Sequence, residues 1–185
     1  MGRVSTISLM DLQDATAILA RTPLVLEALL GDLSAEQVMR TDGPDTWSSH
    51  DIVGHLLAGE IEDWVPRAQI IIKHGTDQTF EPFDRSAMRT TATDSPAALL
   101  GRFQTARTTS LATLTAMQLT ASDLKREGRH PELGVVTLGQ LVAAWVAHDL
   151  THLAQIGEVL ARAYIADVGP WRQYLPALDR VASSE

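Results

Sequence analysis

The stretch that most limits what this chain can become is 137–164, TLGQLVAAWVAHDLTHLAQIGEVLARAY. Thr137 followed by Gln140 has the form of a capping box, which marks a helix start. Leu138, Leu141, Val142, Trp145, Leu153, Ile156, Val159 and Leu160 then recur at steps of three and four, the spacing of one apolar helix face. No proline interrupts the run, and Gly169-Pro170 follows soon after its expected end. His148 and His152 lie on this helix one turn apart. Such a pair shares a face, with Cβ atoms about 5–6 Å apart, close enough for both rings to reach one metal ion.

The flanking residues one turn away are mostly apolar, so the pair points inward or into a cleft. A neutral imidazole there needs a partner for each ring nitrogen. Spacing alone leaves two readings: a metal on one nitrogen and a polar group on the other, or two core histidines bonded to nearby backbone. Two familiar motifs with similar spacing do not apply. H-E-x-x-H needs a glutamate after the first histidine, and here that residue is Asp149; no histidine follows His152 either. A ferritin-like di-iron site needs two E-x-x-H helices, but the one such sequence, Glu127 to His130, contains Gly128, is followed by Pro131 and reads as loop. A further ligand must come from upstream.

At 185 residues the chain is expected to form a single domain spanning 1–185. Apolar residues make up 45% and charged residues 21%, the balance of a globular protein. A net charge of −8 with no clustered basic surface argues against nucleic acid as a partner. No run reaches transmembrane length and the first residues carry no apolar leader, so no membrane partner and a cytoplasmic location are expected. There are no cysteines, which removes disulfides, thiolate ligands and a cysteine nucleophile. Any metal site must be of the histidine, carboxylate and water type, suited to zinc, nickel or iron.

Four long helical patterns are visible. The first covers 11–31, broken or kinked at Thr22-Pro23. The second starts at Trp47-Ser48, with Ser48 and Asp51 as a capping box, and runs to about Ile72 with a kink at Pro66. The third begins at Ser95-Pro96, proline at the first helical position, and ends near Leu119. The fourth is 137–164. Between them, 75–95 reads as a long loop carrying Phe80 and Phe83, a lid or a packed bundle end, and 119–136 as a second connection. The tail 170–181 has Trp171, Tyr174, Leu175 and Leu178 at helical spacing, a short docked C-terminal helix. No strand-like alternation appears. The expected fold class is all-α, an antiparallel four-helix bundle.

In such a bundle ligands project inward from facing helices. His55 lies mid-helix on an apolar face of the second helix, whereas His50 is expected on a solvated face, His74 at a helix end and His130 in a loop. His55, His148 and His152 would give three imidazoles and an open position, the catalytic zinc pattern. The chain resembles the DinB-like superfamily of bacterial metalloproteins. The resemblance rests on Trp47-Ser48 leading through Asp51-Ile52-Val53-Gly54 to His55-Leu56, on Pro82-Phe83-Asp84-Arg85, and on His148-Asp149-x-x-His152-x-x-Gln155-Ile156. It implies an up-down-down-up bundle, a divalent ion (commonly zinc or nickel) on the three matching histidines, and a homodimer. Characterised members of that superfamily include bacillithiol transferases and a mycothiol-dependent maleylpyruvate isomerase. A low-molecular-weight thiol cosubstrate and a small electrophilic substrate are therefore expected, with water as the other nucleophile. The competing reading is a non-catalytic dimeric bundle with a structural metal or a ligand-binding role. Gln155 and Asp51 are candidates to orient ligand rings, and Glu62 is a candidate base. Trp64, Phe80, Phe83 and Trp171 are candidates to hold the acceptor.

Overall fold

The computed structural model describes residues 11–44, 46–83 and 93–179. Its elements are α1 (Leu12–Leu19), α2 (Thr22–Leu30), α3 (Ala35–Val38), α4 (Ser49–Glu62), α5 (Trp64–His74), α6 (Pro96–Ala116), β1 (Glu127–His130), β2 (Gly134–Thr137) and α7 (Leu138–Arg162). Three helix starts are fixed by the chemistry the sequence advertises. Ser48 and Asp51 cap α4, Thr137 and Gln140 cap α7, and Ser95 caps α6 with Pro96 at its first position.

The first two columns of the bundle are each broken once, the first near the expected Thr22-Pro23 and the second three residues ahead of the expected Pro66. Column one divides between α1 and α2 just ahead of Pro23. Column two turns at Asp63 (φ −112°, ψ −73°), so that Pro66 falls in the first turn of α5, where its missing N–H costs least. Gly59 leaves room for the indole to fold back over α4: a Cβ there would meet Trp64 Nε1 at 3.0 Å, and the ring would have to give by a few tenths of an ångström.

Column direction follows from the two core clusters. One holds Ala15, Leu19, Ala68, Ile71, Leu114, Leu141 and Val142; the other holds Leu26, Leu30, Ile52, Leu56, Leu99, Phe103, Ile156 and Val159. Column one and α7 pass from the first cluster to the second, while α4–α5 and α6 pass from the second to the first. The result is an up-down-down-up four-helix bundle in which column one and column two each pack against α6 and α7. Burying side chains such as Leu56 and Ile156, both almost fully covered, contributes roughly 1.5–3 kcal/mol each.

Two expectations need correction. The connection 119–136 is not irregular: β1 and β2 pair antiparallel, Glu127 opposite Thr137 and His130 opposite Gly134. Four-residue strands interrupted by Gly128 are too short to show a period. Gly128 is required there, because a Cβ would meet Ile71 Cγ1 at 2.6 Å and Phe80 Cζ at 2.9 Å. The chain at 79–80 adds to the hairpin, with Phe80 N donating to Arg129 O at 2.9 Å. The tail forms two 3₁₀ turns, Gly169–Tyr174 and Pro176–Asp179, instead of one docked helix. Pro176 interrupts the pattern, so only Leu178 is buried while Trp171 and Tyr174 are exposed. Positions 180–181 of that expected helix lie outside the described residues. No helix among the described residues is long and apolar enough to cross a membrane.

Candidate metal centre

The capped start of α4 sets His55 on its inner face, and α7 delivers His148 and His152 one turn apart. All three are half-buried, and one nitrogen from each lies within 4.8 Å of the others. His55 Nε2 and His148 Nε2 are 2.9 Å apart. Two ligands of a tetrahedral ion with bonds of about 2.0–2.1 Å stand roughly 3.3 Å apart, so little movement is needed to seat one. His152 donates from Nδ1 to Gln155 Oε1 at 2.7 Å, which leaves Nε2 as the lone-pair nitrogen. The donor set suits zinc or nickel. Among the described residues no carboxylate joins the triad.

Aromatic rings sheathe the histidines. Trp47 packs on His55 (ring centroids 5.0 Å apart) and on His152 (6.2 Å). Phe83 meets His55 edge-on at 5.6 Å, and Trp64 meets His148 at 5.1 Å while stacking on Trp145 at 5.9 Å. Of the aromatics expected to hold an acceptor, Trp64 and Phe83 therefore line the triad. Phe80 does not: it is buried between Arg67 and His130. Trp171 is 70% exposed, with Tyr174 as its ring neighbour.

The remaining candidates are placed as follows. Gln155, a candidate to orient a ring, is bonded to His152. Asp51 serves the helix cap, its Oδ2 accepting from Ser48 N at 2.9 Å and Ser48 Oγ at 2.6 Å. Glu62 is exposed. His50 is not solvated: it is buried, with Nε2 bonded to Asp94 O at 2.9 Å. His130 closes the hairpin turn, its Nδ1 accepting from Glu132 N and Leu133 N. Burial and the nearby Arg67 hold its pKa below the usual histidine range. His74 is exposed at the end of α5. Asp84 and Arg85 lie outside the described residues.

Behind the triad lies a polar layer that the sequence reading passed over. Arg107, almost fully buried, donates to Asp149 Oδ2 (2.7 Å), Asp149 Oδ1 (3.1 Å), Glu60 Oε1 (2.8 Å) and Leu19 O (2.6 Å). Trp145 Nε1 donates to Glu60 Oε1 at 3.0 Å, and Thr22 Oγ1 to Asp149 Oδ2 at 2.6 Å. Burial alone raises the Asp149 carboxyl, but His148, Arg107 and Thr22 more than offset it and keep its pKa below the ordinary value. The signal was a charge inside an apolar stripe: Arg107 continues Leu99, Leu100 and Phe103 at helical steps, and Glu60 continues Leu56 and Leu57. Nearby, Asp63 is also buried. Burial pushes its carboxyl up, and its ion pair with Arg67 only partly opposes this.

The sequence profile of the DinB superfamily matches residues 18–156, which include all three histidines. The chain belongs to the DinB superfamily. Among solved structures, this DinB chain is similar to YfiT from Bacillus subtilis, with a TM-score of 0.69 and 21% identity over 82% of this chain and 86% of that one. YfiT is described as a probable metal-dependent hydrolase with an unusual four-helix bundle topology. No curated protein matches this DinB chain significantly.

Proposed function

We propose that this DinB protein is a metal-dependent enzyme in which His55, His148 and His152 hold one divalent ion, zinc or nickel, and a small thiol attacks a small electrophile. The observation that carries the reading is the half-exposed convergence of three imidazoles from two facing helices, with no fourth protein ligand among the described residues. Structural sites are closed by four ligands, whereas catalytic ones keep a position open. Bound there, a divalent ion supplies Lewis-acid chemistry that lowers the pKa of a coordinated thiol or water toward neutrality.

The chain's own residues do the rest. Gln155 accepts the His152 Nδ1 proton, which puts the ring's lone pair on Nε2. Trp47, Trp64 and Phe83 exclude water from the histidine faces and offer an apolar wall to the acceptor. With no cysteine in the chain, the thiol must come from solution. Water as the nucleophile is the second reading, favoured by the likeness to YfiT.

A panel of bacillithiol, mycothiol, glutathione and cysteine against a model electrophile, alongside a panel of ester and amide substrates, tests both. Metal-loaded wild type is compared with apo protein and His148→Ala. A rate that needs both metal and thiol supports the transferase; a metal-dependent rate without thiol supports the hydrolase. If neither exceeds the apo control and the apo protein melts well below the loaded form, the ion is structural and the enzymatic reading falls.

A further inference from the structure

The buried layer behind the triad joins every column of the bundle. Thr22 comes from α2, Glu60 from α4, Arg107 from α6, Trp145 and Asp149 from α7, and the Leu19 carbonyl from the end of α1. It holds one guanidinium against two carboxylates whose side chains have no exposed surface. If this layer served stability alone, apolar side chains of similar volume would do as well or better, since desolvating charges is costly. Its parts instead converge on one ligand. Asp149 follows His148 in the chain, and its Oδ1 faces His148 Nδ1 at 4.0 Å. That nitrogen is buried and has no hydrogen-bond partner among the described residues. Trp145, held by Glu60, stacks on Trp64, which packs edge-on against the same imidazole.

We propose that Arg107 is a positioning residue for the metal centre: reaching across from α6, it clamps Asp149 behind His148 and so fixes the ring through which α7 ligates. Resting on the metal-centre reading, the proposal extends it to residues that touch no ligand. Arg107 grips both Asp149 oxygens through Nη1 and Nη2 and ties the second carboxylate, Glu60, through Nη2. Thr22 takes up further capacity of Oδ2, which leaves Oδ1 as the oxygen turned toward His148. A carboxylate held this way sets a ligand ring's orientation and donor strength, and loosening such a partner typically weakens metal binding about 10–100-fold.

The test is Arg107→Lys, which keeps the charge but cannot hold both Asp149 oxygens and Glu60 in one planar fork. Cobalt(II) serves as the probe, its affinity read by chelator competition and its ligand field by the visible spectrum. Leu114→Ala, two turns further along α6 in the core, controls for general destabilisation. The expected result is weaker cobalt binding by about 10–100-fold and an altered spectrum in Arg107→Lys, with wild-type values in Leu114→Ala. Equal affinity and an unchanged spectrum in Arg107→Lys, with only apo stability reduced, would overturn the proposal. If Arg107→Lys does not fold, Thr22→Val decides: weaker cobalt binding supports the clamp and unchanged binding refutes it. Wild type that binds no cobalt removes the metal centre and this inference together, whereas binding by both proteins alike removes the inference alone.

Discussion

Arg107→Met is the perturbation whose cost the structure defines best. Methionine keeps an apolar stem against Phe103 and Trp145, over whose rings the guanidinium now lies at 5.0 Å and 5.2 Å. It removes the hydrogen bonds to Leu19 O, Glu60 and Asp149. Two carboxylates with no exposed surface then face each other without a cation. Breaking a buried ion pair from one side costs about 3–5 kcal/mol, a large share of the roughly 5–15 kcal/mol that holds a domain together. For a chain of this size the midpoint of thermal unfolding should fall by about 6–20 °C. The assay is urea and thermal melts at neutral pH with chelator present, so that metal linkage does not mask the loss. The stranded carboxylates should take up protons, so the deficit should narrow as pH falls from about 7 to about 5. Exchanging all three charges, Arg107→Met with Glu60→Met and Asp149→Leu, should recover most of the loss. A cost below about 1 kcal/mol for the single variant would contradict the ion-pair account of this layer.

Asp63 gives a pH signature of opposite sign to the usual carboxylate. Burial lifts its folded pKa above 3.8, so stability tied to the protonated form is lost as pH rises from that value through the folded one. The stability of Asp63→Asn relative to wild type should therefore improve from about pH 4 to about pH 7; urea melts across that range check it, and a gap widening against the variant would contradict the assignment. His50→Ala should leave metal content unchanged while costing about 1–3 kcal/mol, because its ring is a buried partner of Asp94 O and not a ligand. Elemental analysis and a melt, run together, separate those two effects.

The parts of this protein that were legible in the sequence are those set by local chemistry. The capping boxes at Ser48 and Thr137 and the three-and-four spacing of apolar residues gave the helices and the bundle. The one-turn spacing of His148 and His152, with His55 on a facing helix, gave the site. What escaped depends on contacts across the bundle. The hairpin has Gly128 fitted under Phe80 and Ile71, which no strand period announces. His50 is buried because the chain at Asp94 packs over the start of α4, a pairing far apart in sequence. Arg107 and Glu60 pass for solvated charges until their partners are known, although each stands in an otherwise apolar stripe. Trp47 was read as a helix boundary and a family marker, and only the fold shows it roofing two histidines.

The central claim is that His55, His148 and His152 together hold one divalent ion. Elemental analysis of the purified protein, never exposed to chelator or acid, measures it most directly when wild type and His152→Ala are compared. The account predicts about one zinc or nickel per chain in wild type and a large loss in the variant. No metal in wild type, or the same metal content in both proteins, would contradict it.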